Sequence, residues 1–378
     1  MTDIPTTNLT MLSEIKDSGS LEISLARLPM PEPKPHEVLV KVLAAPINPS
    51  DLGLLVGAGD VTQATQSTLD GLPLVSAPVG AAGLRAMAGR LNEAMPIGNE
   101  GCGVVVAAGS NPEAQALLGK TVAMLGGAIY AQYRCLPVQM CMVLPDGTDP
   151  EDGASCFVNP LTSLVFTEVM KAEGHSAIVH TAAASNLGQM LVKICAKDGI
   201  PLVNIVRSPA QVGLLKDIGA VHVLDSSSDS FRADLVAALT ETGATIAFDA
   251  IGGGTLGGQI LAAMEQAAVA RMASYSRYGS DTFKQLYIYG ALDLGPTSFN
   301  RSFGFSWSIS GFLLTPFMQK AGMETVGKMR ARVVEELTTT FKSHYSHRVT
   351  LAQALDVATL QAYNAKRTGE KYLILPHS

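Results

Sequence analysis

The chain lacks a long apolar run, a close cysteine pair and an excess of positive charge, and each absence removes a class of function. A membrane-spanning helix needs about 18 or more apolar residues in a row. The best run, Ile309 to Phe317, is shorter and is interrupted by Gly311 and Pro316. The first residues, Met1 to Asp17, contain no apolar h-region and are not Arg-rich, so no signal or transit peptide is read. The cytoplasm is the expected location, with no membrane partner. The five cysteines, Cys102, Cys135, Cys141, Cys156 and Cys195, are odd in number and widely spread. That pattern fits reduced thiols better than a disulfide framework, and no C-x-x-C pair suggests zinc or redox chemistry. A net charge of −6 argues against nucleic acid as a partner. No G-x-S-x-G elbow supports a serine hydrolase, and the histidines form no catalytic set. His180 reads as a core or turn histidine, and His344 and His347 as solvent-facing.

What is present is ample apolar material: 47% of 378 residues, enough for two domains with sizeable cores. From about residue 20 to 155, Pro and Gly alternate with short strand-like runs such as Val38 to Leu43, Gly103 to Ala107 and Thr121 to Leu125. This is an all-β texture. From about residue 158 it gives way to strand–helix alternation, with strands expected at 177–180, 202–206, 221–224, 245–248, 286–290 and 308–312. Runs in that order suit a parallel sheet covered on both faces. A helix around Leu351 to Ala362 and a strand from Lys371 to Pro376 return the chain to the first part. The expected architecture is α/β, a Rossmann doubly wound parallel sheet inserted into a β-rich domain. The expected boundaries are 1–157 plus 343–378 for the β-rich domain and 158–342 for the inserted one. Two stretches, Thr62 to Glu93 and Gln266 to Thr282, read as extra material; for the first, a pocket cover and a surface loop are both open.

The segment Thr181-Ala-Ala-Ala-Ser-Asn-Leu-Gly188 stands where a dinucleotide pyrophosphate would meet a helix N-terminus. Ala182 to Ala184 replace glycines but still allow close backbone approach, and Ser185 or Asn186 can cap the helix. About 20 residues on, the second strand ends in Arg207-Ser208 rather than in an acidic residue. A guanidinium there favours a 2′-phosphate, and hence NADPH, over a 2′-hydroxyl. The competing reading of Arg207 is a solvated surface arginine.

Pro46-Ile-Asn-Pro-Ser-Asp51, Gly98-Asn-Glu-Gly-Cys-Gly-Val104, Val158-Asn-Pro-Leu-Thr162, the turn at 181–188, Asn204 to Arg207 and Lys371 to Pro376 resemble the medium-chain dehydrogenase/reductase superfamily. The branches they are most similar to are the zinc-free quinone oxidoreductases and the 2-enoyl thioester reductases. The resemblance implies a GroES-like domain around a Rossmann domain, a small-molecule substrate, and a homodimer formed through the strand near Ser308 to Phe312. It carries cofactor contacts onto Asn159 and Thr162; onto Ala184, Ser185, Asn186 and Leu187; and onto Arg207 and Ser208. Further contacts fall on Tyr289, Gly290, Ala291 and Leu292, on Phe312, Leu313 and Leu314, and on Lys371.

Two departures shape the expected chemistry. Zinc-dependent relatives place Cys and His where this chain has Asn48 and Asn99, and amides are poor zinc ligands, so no metal is expected. The enoyl thioester reductases use a tyrosine shortly after the Asn-Pro-Ser-Asp motif, and here Gly59 stands in the matching place, with Asp60 as a conceivable donor. On the substrate side the candidates are Tyr130, against packing in the β-rich domain, and Asn48, against a turn-forming role. The leading reading is an NADPH-dependent quinone or enone reductase. The alternatives are an enoyl thioester reductase with a relocated proton donor and a non-catalytic NADPH-binding protein. No catalytic residue is assigned.

Overall fold

A computed structural model describes residues 4–378. The chain divides into two compact units, Asn159–Arg332 on one hand and Met1–Val158 with Val333–Ser378 on the other.

The Asn159–Arg332 unit is built on a six-stranded sheet. Its strands are β1 (Ile178–His180), β2 (Leu202–Val206), β3 (His222–Asp225), β4 (Ile246–Asp249), β5 (Lys284–Ile288) and β6 (Trp307–Gly311). All are parallel, in the order β3-β2-β1-β4-β5-β6, so the direction of winding reverses between β1 and β4. This is the Rossmann arrangement. β1, β2 and β4 are buried throughout, which is why they read as short unbroken apolar runs. The helices are α1 (Val158–Ala172), α2 (Asn186–Asp198), α3 (Pro209–Asp217), α4 (Phe231–Thr242), α5 (Leu256–Val269) and α6 (Leu314–Glu335). Gly199 and Gly243 end α2 and α4 at φ 66° and 70°, the left-handed geometry that stops a helix. Val179, Val203, Ile205, Ala247, Leu261 and Leu286 form the centre of the core. Each large aliphatic side chain there contributes about 1.5–3 kcal/mol by leaving water.

β5 begins at Lys284, two residues ahead of the expected Leu286. The Lys284 ammonium is fully buried and lies 2.5 Å from Glu265 of α5, so a polar residue occupies an inner strand position. Glu265 also accepts from the Ser280 backbone N–H and hydroxyl. The stretch expected as extra material, Gln266 to Thr282, therefore starts as the last turn of α5 and is tied back at Ser280.

The other unit is antiparallel in the main. One sheet pairs Thr65–Leu69, Leu72–Pro78, Ser20–Pro29, Thr7–Lys16 and Met95–Pro96, in that order. The second is organised around Glu37–Pro46, flanked by Glu100–Ala108, Tyr133–Pro137 and the late strand Tyr372–Ile374. Tyr372–Ile374 thus completes a sheet begun more than 300 residues earlier. Ile15, Leu21, Val40, Val122, Leu355 and Ile374 belong to one core. Thr62 to Glu93, expected as extra material, carries regular structure. Its first half is a hairpin on the sheet edge, with Asp70 and Gly71 at φ 51° and 73°, the two-residue turn whose twist suits antiparallel strands. The expected helix at 351–362 is a 3-10 turn, Gln353–Leu355, followed by a helix at Val357–Asn364.

Candidate active site

In the Rossmann unit the candidate residues gather at the carboxyl edge of the sheet. β1 delivers the chain into the turn at Thr181, and Ser185 caps α2 by accepting the Gly188 N–H at 3.1 Å. Gly188 faces the turn so closely that a Cβ there would lie 2.1 Å from the Ala183 carbonyl oxygen. Only glycine lets helix and turn approach this far. Ala182 adopts φ 48°, a conformation glycine would take more readily, and is held there by its neighbours. The Ala183 N–H donates to the Ile205 carbonyl. The Thr181 hydroxyl donates to Asp249 at 2.6 Å and accepts the Ala250 N–H at 2.9 Å. Asp249 is buried and also accepts the Ile251 and Gly252 N–H groups. Neither Thr181 nor Asp249 stood out as a site residue in the sequence, although Asp249 opens the segment Asp-Ala-Ile-Gly-Gly-Gly that ends β4.

Of the residues expected to contact the cofactor in this unit, Ala184, Ser185, Asn186 and Leu187 form the end of the turn and the start of α2. Asn159 and Thr162 lie buried on α1, and Ser163 beside them donates within hydrogen-bond reach of the Asn159 and Leu187 carbonyls, joining α1 to the first turn of α2. Arg207 leaves β2 with its side chain exposed, and its guanidinium has no hydrogen-bond or ion-pair partner among the described residues. Its backbone N–H donates to Gln211, and Ser208 caps α3. Tyr289 to Leu292 follow β5. The Tyr289 and Leu292 N–H groups donate to the carbonyls of Asp249 and Ala250. Gly290 packs so tightly on Ala250 that a Cβ would lie 2.5 Å from its carbonyl oxygen. Past β6, Phe312 is buried among Phe166, Phe248, Tyr287 and Phe317, whereas Leu313 is 68% exposed and Leu314 opens α6.

Lys371, Asn48 and Tyr130 sit in the other unit. Asn48 is buried at the centre of a charged cluster. Its amide donates to Glu100 at 2.8 Å, its carbonyl oxygen accepts the Lys371 ammonium at 2.9 Å, and its backbone N–H donates to Asp51 at 2.8 Å. Glu100 accepts the Phe157 and Val158 N–H groups as well. Burial pushes Asp51 up to about 7, raises Glu100 and brings Lys371 down to about 8. Lys371 thus donates its ammonium to Asn48. Tyr130 has no exposed surface and its hydroxyl donates to the Pro46 carbonyl, so its place is in the core and not on a substrate surface. Asp60 is exposed and spent on Thr62 and Gln63, whose hydrogen bonds hold its carboxyl below the usual range; it caps a 3-10 turn and is no acid. At Gly59 a Cβ would lie 2.5 Å from Leu21 Cδ2, so a larger side chain would have to displace Leu21. Among the described residues no three His, Cys, Asp or Glu side chains are grouped to hold a metal ion, and no helix is long and apolar enough to cross a membrane.

No family model matches the chain. A mitochondrial enoyl-[acyl-carrier-protein] reductase of Xenopus tropicalis is 26% identical over 208 residues, 53% of this chain and 51% of its own length. Prostaglandin reductase-3 of Mus musculus is 25% identical over 287 residues, 74% of this chain and 73% of that protein. A solved structure from Mesorhizobium loti, described as a candidate NADPH:quinone reductase, matches with a TM-score of 0.74 at 28% identity, covering 99% of this chain and 100% of that one. These likenesses agree with the resemblance to the medium-chain dehydrogenase/reductase superfamily. The match spans about half the length of the enoyl reductases. The Rossmann sheet and the antiparallel sheets are the two halves expected of the superfamily, the second being its GroES-like domain.

Proposed function

We propose that the chain is a zinc-independent, NADPH-dependent oxidoreductase that reduces a quinone or an activated enone. The observation that carries this is the turn at 181–188, closed by Gly188 against Ala183 and capped by Ser185, with the exposed, unpaired Arg207 at the end of the next strand. These residues fit a dinucleotide. Backbone N–H groups at the start of α2 would hold the pyrophosphate, Arg207 and Ser208 the 2′-phosphate, and Tyr289 to Leu292 and Phe312 to Leu314 the far half. When bound, NADPH supplies a hydride. The protein's part is to orient the two partners and exclude water, for which no ionised acid is needed. Asn48, tied to Glu100 and Lys371, would serve the substrate side by positioning alone.

The enoyl thioester reading is supported by relatives but lacks a tyrosine near Gly59, where an added Cβ would press on the Leu21 side chain. A homodimer through β6 is part of the proposal, supported by the place of β6 at the sheet edge. So is a cytoplasmic location, supported by five cysteines that are all free and buried. Following NADPH absorbance with a panel of quinones, enones and a 2-enoyl-CoA, with NADH as the control, tests the reading. Oxidation of NADPH by a quinone or enone supports it. Turnover of the enoyl-CoA alone favours the second reading, and tight NADPH binding without turnover favours a non-catalytic role.

A further inference from the structure

His180 ends β1, Tyr289 follows β5, and their side chains meet across β4, with His180 Nε2 2.7 Å from Tyr289 Oη. The rings stack, 5.8 Å between centroids and 15° between planes, and Phe166 packs against both. His180 is fully buried, and burial holds its pKa down to about 3, so the imidazole is neutral and carries one N–H. Its Nδ1 is buried with no hydrogen-bond partner among the described residues. A donor stranded in such a place is the costlier orphan, and native structures avoid it more strictly than an idle lone pair. Hydrogen-bond accounting therefore puts the proton on Nε2, which donates to the Tyr289 oxygen. That oxygen keeps its own proton for another acceptor, and the hydroxyl makes no second hydrogen bond among the described residues. Tyr289 is only half-buried. Burial and the nearby Asp249 carboxylate push its phenol well above the ordinary range, so it remains a donor and not a phenolate.

We propose that Tyr289 is a catalytic hydrogen-bond donor, aimed by His180 at the oxygen on which negative charge builds as the acceptor takes a hydride. The proposal rests on the reductase reading above. In a doubly wound sheet the ligand lies outside the carboxyl ends where the strand order reverses. Here that point is the β1–β4 junction, which the His180–Tyr289 pair spans. The acceptor class is one whose oxygen gains charge, a quinone or an α,β-unsaturated carbonyl. The hydride, which bound NADPH would give up from a C–H bond on becoming NADP⁺, forms the new C–H bond; the acceptor's C=C pair shifts into the adjacent C–C bond and the carbonyl π pair moves onto oxygen. Tyr289 donates a hydrogen bond to that oxygen without giving up its proton, and water supplies the proton that completes the reduction. Such a fixed dipole acts on the transition state more than on the bound acceptor.

Two measurements on the full chain test this. Nitrogen NMR of histidine-labelled protein, with His180 assigned by its loss in His180→Gln, is expected to show a protonated Nε2 and a bare Nδ1. A protonated Nδ1 overturns the proposal. Tyr289→Phe, which keeps the ring and backbone assigned to the cofactor, is expected to lower kcat by roughly 10²–10³-fold, with a much smaller loss of NADPH affinity by cofactor fluorescence. A weakened NADPH complex with kcat unchanged, or no change in either, overturns it. His180→Gln, whose amide can still donate to the phenol, should lose less kcat than His180→Leu; equal losses count against the aiming role. If the wild type reduces no acceptor, the reductase reading fails by itself, and the nitrogen spectrum still decides whether Tyr289 has a proton to offer.

Discussion

Replacing Gly188 by alanine tests whether the phosphate turn is a cradle shaped by backbone contact. The added Cβ would lie 2.1 Å from the Ala183 carbonyl oxygen, 2.6 Å from its carbon and 2.8 Å from its Cα. All three are backbone atoms, and none can rotate away. Ordinary contact to a Cβ lies at 3.4–4 Å, so α2 has to retreat from the turn by more than an ångström. Overpacking of this kind costs about 1–3 kcal/mol. A shift of about 1 Å in a positioning element is worth up to roughly 10²-fold in function. The expected outcome is NADPH binding weakened by about 10- to 100-fold, a loss of roughly 1.4–2.8 kcal/mol, with circular dichroism close to wild type. Fluorescence titration reads the affinity. An unchanged Kd in folded Gly188→Ala protein would refute the cradle.

Two further substitutions give opposite or pH-dependent signs. Ala182 sits at φ 48°, where a residue with a Cβ is strained by about 1–2 kcal/mol, while glycine loses about 0.4–1 kcal/mol through the unfolded chain. Ala182→Gly should therefore raise the unfolding midpoint slightly, and a clear fall refutes the strain. Asp51 is held up at about 7 from an ordinary 3.8, so between those values the folded state keeps a proton that the unfolded state releases. The sign follows: stability is highest below the unfolded value and is lost as pH rises towards 7. Relative to Asp51→Asn, the wild type should lose thermal stability across that window; a difference independent of pH refutes the burial of an ionisable carboxyl.

The six-strand alternation was legible because parallel strands buried on both faces leave unbroken apolar runs, and the glycine at 188 marked the turn. Legibility failed where a polar group is buried with its partner. Lys284 reads as a strand boundary until Glu265 is seen 2.5 Å away, a pairing the sequence separates by 19 residues. Thr181 and Asp249, 68 residues apart, meet only because β1 and β4 are neighbours. Tyr130 looked available because nothing local tells a buried tyrosine from an exposed one; its Pro46 partner is 84 residues away. The Lys371–Asn48 hydrogen bond joins residues 323 apart, and no local signal marks it. The hairpin at Thr65–Pro78 did carry a local signal, Asp70-Gly71 between strand-forming runs, masked by the Gly/Ala-rich helix that follows.

The central claim is that the carboxyl edge of the Rossmann sheet binds NADPH through Arg207. One charge-assisted hydrogen bond to the 2′-phosphate contributes about 1.5–3 kcal/mol, a preference of roughly 10- to 100-fold. Titrating wild type and Arg207→Glu with NADPH and with NADH measures it directly. The prediction is tighter NADPH binding by the wild type by that factor, and loss or reversal of the preference in Arg207→Glu. Equal affinities in the wild type, or a preference that survives Arg207→Glu, would contradict it.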